Sequence, residues 1–204
     1  MTAGASALTD HDAHGTAHHA DPEREHGTLL VGVRLFILSE VMLFGALFTT
    51  YFVLRFQSPA WPPRSDIERP DLLLVGLNTL ILLTSSVTME WATRRTALGD
   101  AAGLRRGLSA TLALGAVFLA IQAFEFATNG FGPSDGVFGS TFYILTGFHG
   151  SHVLAGLLLI GAVANRARLG LVQTERPTAL KAVGYYWHFV DAVWVLLFVT
   201  VYMI

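Results

Sequence analysis

FYILTGFHGSHVLAG, from Phe142 to Gly156, is apolar apart from two histidines, His149 and His152, three residues apart. The run extends from Gly139 to Ala164 without one Asp, Glu, Lys or Arg. The hydrocarbon core of a bilayer takes roughly 20 predominantly apolar residues per helix, so this stretch reads as a transmembrane helix. Its histidines are then metal ligands, proton carriers or packing groups at membrane depth.

The rest of the chain agrees with that solvent. Over 204 residues, 52% are hydrophobic and 14% charged, and mean hydropathy is +0.52, too apolar for a water-soluble domain of this size. Five segments are long and apolar enough to span: about Leu30 to Phe56, Leu72 to Ala92, Gly107 to Thr128, Gly139 to Ala164 and Val183 to Ile204. The expected fold is all-α, an integral membrane bundle of five transmembrane helices over residues 29–204, preceded by a polar, His-rich tail over residues 1–28. There is no cysteine, which removes disulfides, iron–sulfur clusters and thiolate-bound copper or zinc and leaves His and carboxylates as strong ligands. The net charge of -2 and the lack of a basic patch with interleaved aromatics give no sign of a nucleic-acid partner. Residues 1–27 carry no basic cluster followed by an apolar run, so no secretory signal is read there.

Orientation follows from Lys and Arg in the short loops. One side collects Arg24, Arg34, Arg94, Arg95, Arg105, Arg106, Arg166, Arg168, Arg176 and Lys181, and the other only Arg55, Arg64 and Arg69. The amino terminus is therefore expected in the cytoplasm and the carboxyl terminus outside. The proline-rich SPAWPPRSDIERPD connector (Ser58 to Asp71) falls on the outer side. The tail HDAHGTAHHADPEREH holds five of the eight histidines; without a framework to preorganise ligands it reads as a solvated, disordered terminus instead of a metal tract.

Ionisable groups at membrane depth are costly and usually face the bundle interior. Here they are Glu40, Glu125, His149, His152, His188 and Asp191, with Gln122 and Asn78 as uncharged companions. Glu40 lies about 15 Å into the first span and reads either as a reversible proton site or as a neutral acid bridging two helices. Gln122 and Glu125, three apart near the outer end of the third span, suit an interhelical hydrogen bond within reach of water. His149 and His152 share a face, but a pair at that spacing cannot bind both sides of one haem iron, and neither has a Glu three residues away for a carboxylate-bridged site. Packing is their expected role. His188 and Asp191 can hydrogen-bond on one face of the last span, either as a helix-orienting pair or as a titratable relay. No catalytic residue and no metal site is assigned.

RLFILSEVMLFGALF, the WPP of the proline loop, LNTLILLTSSVTMEWA, QAFEF, DGVFGSTFYILTGFHGSHVLAG and YYWHFVDAVWVLLFVTVY together resemble subunit III of the haem–copper cytochrome c oxidases, in order and spacing, from about Val33 to the last residue. FHGxHVxxG with YWHFVDxVW is a specific combination. The resemblance implies a multi-pass subunit, in a bacterial plasma membrane, of the terminal respiratory oxidase, which passes electrons from cytochrome c to oxygen while translocating protons. In that family haem and copper reside in subunits I and II, and subunit III carries no redox centre. It supports the stability and proton uptake of subunit I and binds phospholipid. The resemblance also matches Glu40 to the family's buried carboxylate and Arg166 to an arginine associated with lipid headgroups. Implied partners are subunits I and II, membrane lipids and a larger respiratory supercomplex. Longer members have two further helices before the SE helix, so this chain resembles the five-helix bacterial form. The competing expectations are subunit III of a quinol oxidase and a stand-alone proton-coupled transporter using Glu40, Glu125 and His149. No internal repeat supports the transporter.

Overall fold

The structure, a computed structural model, describes residues 22–59, 61, 71–170 and 178–204, with side chains from Thr28 onward. Five helices are long and apolar enough to cross a membrane: α1 (Pro22–Gln57), α2 (Leu72–Ala97), α3 (Ala101–Thr128), α4 (Gly136–Arg168) and α5 (Thr178–Leu197), the last continued by a π-helical turn, Phe198–Met203. No strand occurs among the described residues.

The helices overrun the apolar segments that announce them. Hydropathy marks the part of a helix inside hydrocarbon, whereas its end is set by backbone hydrogen bonding. α2 therefore runs past Ala92 through Arg94 and Arg95 to Ala97, and α3 starts at Ala101, well before Gly107. The connector read as fourteen residues, TRRTALGDAAGLRR, shrinks to Leu98, Gly99 and Asp100. Its chemistry explains the sharp stop. Gly99 adopts φ +72°, its N–H donates to Thr96 O at 3.0 Å, and Asp100 N–H donates to Arg95 O at 3.0 Å, a Schellman closure that needs a left-handed residue. Asp100 then caps α3 by accepting from Gly103 N–H at 2.8 Å.

α1 likewise begins at Pro22, so the last residues assigned to the polar tail are helical. Proline suits a first helical turn because its missing N–H has no intrahelical partner there. At 36 residues, α1 is about 54 Å long and exceeds a bilayer core of about 30 Å. The carboxyl-terminal span, expected as one α-helix to Ile204, changes to π geometry at Phe198. There Thr200 Oγ1 donates to Leu196 O at 2.6 Å, and the Thr200 carbonyl accepts from Tyr51 of α1 at 3.2 Å. The calls that fall on residues 1–21, on the proline-loop arginines Arg64 and Arg69 and on Arg176 lie outside the described residues.

Packing forms a closed ring. α2 contacts α3 most extensively, α3 contacts α4, α4 contacts α5, and α5 returns to α2; α1 lies outside against α5 and α4. Trp187 and Trp194 of α5, Phe118 of α3 and Leu82 of α2 are fully buried in the ring. Since lipid tails are as apolar as these side chains, the ring is held by close packing and interhelical hydrogen bonds instead of a hydrophobic driving force. Both occur: Trp187 Nε1 donates to Ser85 Oγ at 3.1 Å, Trp194 Nε1 to Thr79 Oγ1 at 3.0 Å, and the Thr88 and Thr111 hydroxyls meet at 2.8 Å. The Trp187 ring fits because Gly115 and Gly156 present no Cβ to it.

Candidate functional site

The clearest polar site lies where α1 docks on α4. His152 Nε2 and Glu40 Oε2 are 2.9 Å apart, with 14% of each side chain exposed. The other ring nitrogen, Nδ1, is 2.7 Å from the Phe148 carbonyl one turn earlier. A carbonyl only accepts, so Nδ1 carries hydrogen. Between Nε2 and Oε2 there must then be one shared proton, because two lone pairs at 2.9 Å would repel. The pair is either a protonated acid donating to a neutral ring or a carboxylate accepting from an imidazolium. Both arrangements have zero net charge, which suits a site at membrane depth.

Aromatic groups wall this pair. Phe44 of α1 meets His152 edge-on with centroids 5.0 Å apart and packs on Phe189 of α5 at 6.4 Å. Tyr186 of α5 donates to the His152 carbonyl at 3.1 Å. Glu40, His152 and Tyr186 thus come from three helices. Neither the pairing nor the Tyr186 contact was legible in the sequence, which does not say which face of α4 receives α1.

His149 and His152 do not act together, contrary to the shared-face reading. One hundred degrees of helical rotation per residue leaves positions three apart offset by about 60°, enough to send them to different neighbours. His149 points into the ring, fully buried, against Trp194 at 4.8 Å and edge-on to Phe118 at 6.0 Å. Neither of its ring nitrogens has a protein hydrogen-bond partner. His188 and Asp191 do not bond to each other: His188 Nδ1 turns to Ser86 Oγ of α2 at 2.6 Å, and the same Ser86 hydroxyl neighbours the Asp191 carboxyl. The serine pair of TSSVT, unused in the sequence reading, supplies α2's anchors for both Trp187 and His188.

Gln122 Nε2 donates to the Thr146 carbonyl of α4 at 3.0 Å. Glu125 faces the Tyr202 hydroxyl of the π turn. Both are buried at 4% exposure, which corrects the expectation of water access; Gln122 lies against Thr146 and Gly150 in the middle of α4, and Glu125 against the carboxyl-terminal π turn. Asn78 Nδ2 donates to the Phe118 carbonyl at 3.2 Å. Arg166 stands exposed at the end of α4. Among the described residues, no group of three or more His, Asp or Glu side chains is placed to hold a metal ion.

Fold and sites together define a multi-pass membrane bundle with an aromatic core and a charge-neutral acid–histidine clasp on its outermost helix. The family model for cytochrome c oxidase subunit III matches residues 9–204. Among similar proteins, the cytochrome c oxidase subunit 3 of Synechocystis sp. is 41% identical over 200 residues, covering 98% of this chain and 83% of that one. That of Thermostichus vulcanus is 37% identical over 195 residues, covering 95% and 96%. That of Corynebacterium diphtheriae is 39% identical over 181 residues, covering 85% and 87%. The chain belongs to the cytochrome c oxidase subunit III family.

Proposed function

We propose that the chain is the redox-silent third subunit of a proton-translocating cytochrome c oxidase in a bacterial plasma membrane. Haem and copper belong to subunits I and II, which bind the ring together with α1. The observation that carries this reading is the filled interior. Trp187, Trp194, Phe118 and His149 occupy the bundle axis, and the ionisable groups are dispersed over separate helix contacts instead of converging on one centre. Such a bundle supports a neighbouring subunit through shape and through the proton environment it presents. Glu40 and His152 supply the second, exchanging one proton without a change in the pair's total charge. The relatives above are all named for cytochrome c oxidase, which disfavours the quinol reading.

Arg166 and the basic residues of the same bundle end hold phospholipid headgroups at the cytoplasmic surface, with the amino terminus on that side. A larger respiratory supercomplex is a compatible setting.

The test is extraction in mild detergent, subunit identification and a reduced-minus-oxidised spectrum. The chain is expected to co-purify with a haem-bearing subunit and, once stripped from it, to show no haem or copper signal. A haem or metal retained by the stripped chain, or isolation without any oxidase subunit, would overturn the reading. Turnover with reduced cytochrome c but not with quinol separates the two oxidase classes.

A further inference from the structure

His149 stands on the bundle axis with polar atoms that neither the packing nor the proposed function uses. It is fully buried, its ring lies against Trp194 and edge-on to Phe118, and neither nitrogen has a hydrogen-bond partner in the protein. A neutral imidazole carries one N–H and an imidazolium two, so at least one donor is present in either state. Buried polar atoms are seldom left unpaired, because the hydrogen bond to water given up on folding is then not replaced. The neighbouring indole does not relieve His149: the Trp194 N–H is already taken by Thr79.

Two acceptors converge on the same turn of α4. Thr146 precedes His149 by three residues, so the two side chains are neighbours on the helix surface. Gln122 of α3 reaches that turn as well. Its Nε2 donates to the Thr146 carbonyl at 3.0 Å, and its Oε1 fits beside Gly150, 2.7 Å from where a Cβ would stand. Both side chains are buried and both keep acceptor capacity. Thr146 Oγ1 gives its hydrogen to Phe142 O at 2.6 Å and retains a lone pair. Gln122 Oε1 accepts no protein hydrogen bond among the described residues. One donor therefore stands near two acceptors, and the acceptors carry no charge. An ion would find nothing here to balance it, and an apolar guest would leave the N–H unpaired. Water accepts one hydrogen bond while donating two.

We propose that His149, Thr146 and Gln122 bind one internal water molecule between α3 and α4, inside the ring. The water accepts from the His149 N–H and donates to Gln122 Oε1 and Thr146 Oγ1, and about three bonds is what a buried water typically makes. Through it the histidine of α4 is tied to α3 beside the direct bond from Gln122 to Thr146. The ring thereby gains a polar link in a layer otherwise filled by the edge-on Phe118 and Trp194 rings. The site belongs to the interior of the bundle and not to its place in an oxidase, so it fails separately from the function proposed above.

The experiment is a cryo-electron microscopy map of the native complex that resolves ordered water, set beside maps of His149→Phe and Gln122→Leu. The native map should show one peak about 2.5–3.2 Å from a His149 nitrogen and from Gln122 Oε1. His149→Phe keeps an aromatic ring without nitrogen; it should lose the peak and leave Gln122 bonded to the Thr146 carbonyl. Gln122→Leu removes the other principal partner and should lose the peak with His149 still buried. The native map decides the matter even if neither variant assembles. No peak beside either His149 nitrogen overturns the site, as does a nitrogen bonded directly to a protein group. A peak that survives both substitutions at full height overturns the assigned partners. A peak about 2.0–2.1 Å from the nitrogen, the length of a bond to zinc, overturns water in favour of a metal ion.

Discussion

Adding one methyl group at Gly156 should separate the ring's packing from ordinary helix propensity. A Cβ there would lie 2.8 Å from Trp187 Cε3, 2.9 Å from Cζ3 and 3.3 Å from Tyr186 Cε1. Ordinary contact begins near 3.4 Å, so the indole or the α4 backbone must retreat by about half an ångström. The indole has little room to do so. The next edge of its six-membered ring lies against Gly115 of α3, and its N–H is tied to Ser85 of α2. Overpacking of this kind costs about 1–3 kcal/mol, against a gain of roughly 0.5–1 kcal/mol from replacing a helical glycine by alanine. Gly147 and Gly161, on the same helix, have nothing within 4 Å of an added Cβ and should show only the gain. Gly156→Ala should therefore fall below Gly161→Ala by about 2 kcal/mol, a difference in melting temperature of roughly 4–8 °C for a chain of this size. Thermal unfolding of the detergent-extracted protein, followed by tryptophan fluorescence, measures it. Trp187→Phe, by trimming the clamped ring, should reduce the penalty of Gly156→Ala in a double-variant cycle. Equal melting of Gly156→Ala and Gly161→Ala would refute the clamp.

Other perturbations give sharp outcomes. Glu40→Gln retains a donor for His152 Nε2 and should leave α1 docked, whereas Glu40→Ala should loosen it by about 1–2 kcal/mol; protease accessibility of α1 reads the difference, and equal protection would show the clasp to be dispensable. Asp191→Asn keeps an acceptor beside the Ser86 hydroxyl and should change stability by less than about 1 kcal/mol; a large fall in melting temperature would show that the carboxyl itself is required. Gly99→Ala forces a side chain to φ +72° and should cost about 1 kcal/mol in the same melt. The chain has no cysteine, so Leu98→Cys and Ser134→Cys can each be labelled alone: an impermeant reagent added outside intact cells should reach Ser134→Cys only, and the reverse pattern would invert the topology.

What the sequence disclosed and what it hid divide along a physical line. Five spans were legible because a bilayer imposes one length and one polarity on every crossing helix. The extra turns of α2 and α3 were not, because Arg94, Arg95, Arg105 and Arg106 look like loop residues by hydropathy while their backbones stay helical beyond the hydrocarbon. The ionisable set was visible residue by residue, since Glu40, His149 and Asp191 stand out against apolar neighbours. Their partners were hidden. Spacing along one helix suggested His149 with His152 and His188 with Asp191, but a residue on another helix took one member of each pair, Glu40 for His152 and Ser86 for His188. Local geometry in a helix offers a neighbour at three or four residues; the approach of another helix offers a better one.

The outer position of α1 also dictates an order of events at the ribosome. α1 is the first span to be made, yet its neighbours are α4 and α5. α5 begins about 120 residues after α1 ends, roughly 6–24 s of synthesis at 5–20 residues per second. Throughout that interval Glu40 has no His152 to share a proton with, and Tyr51 and Arg55 lack their acceptors at Thr200 and Ile204. The newborn helix must wait in the bilayer, or in the care of the insertion machinery, until the last span closes the ring and gives it a place to dock.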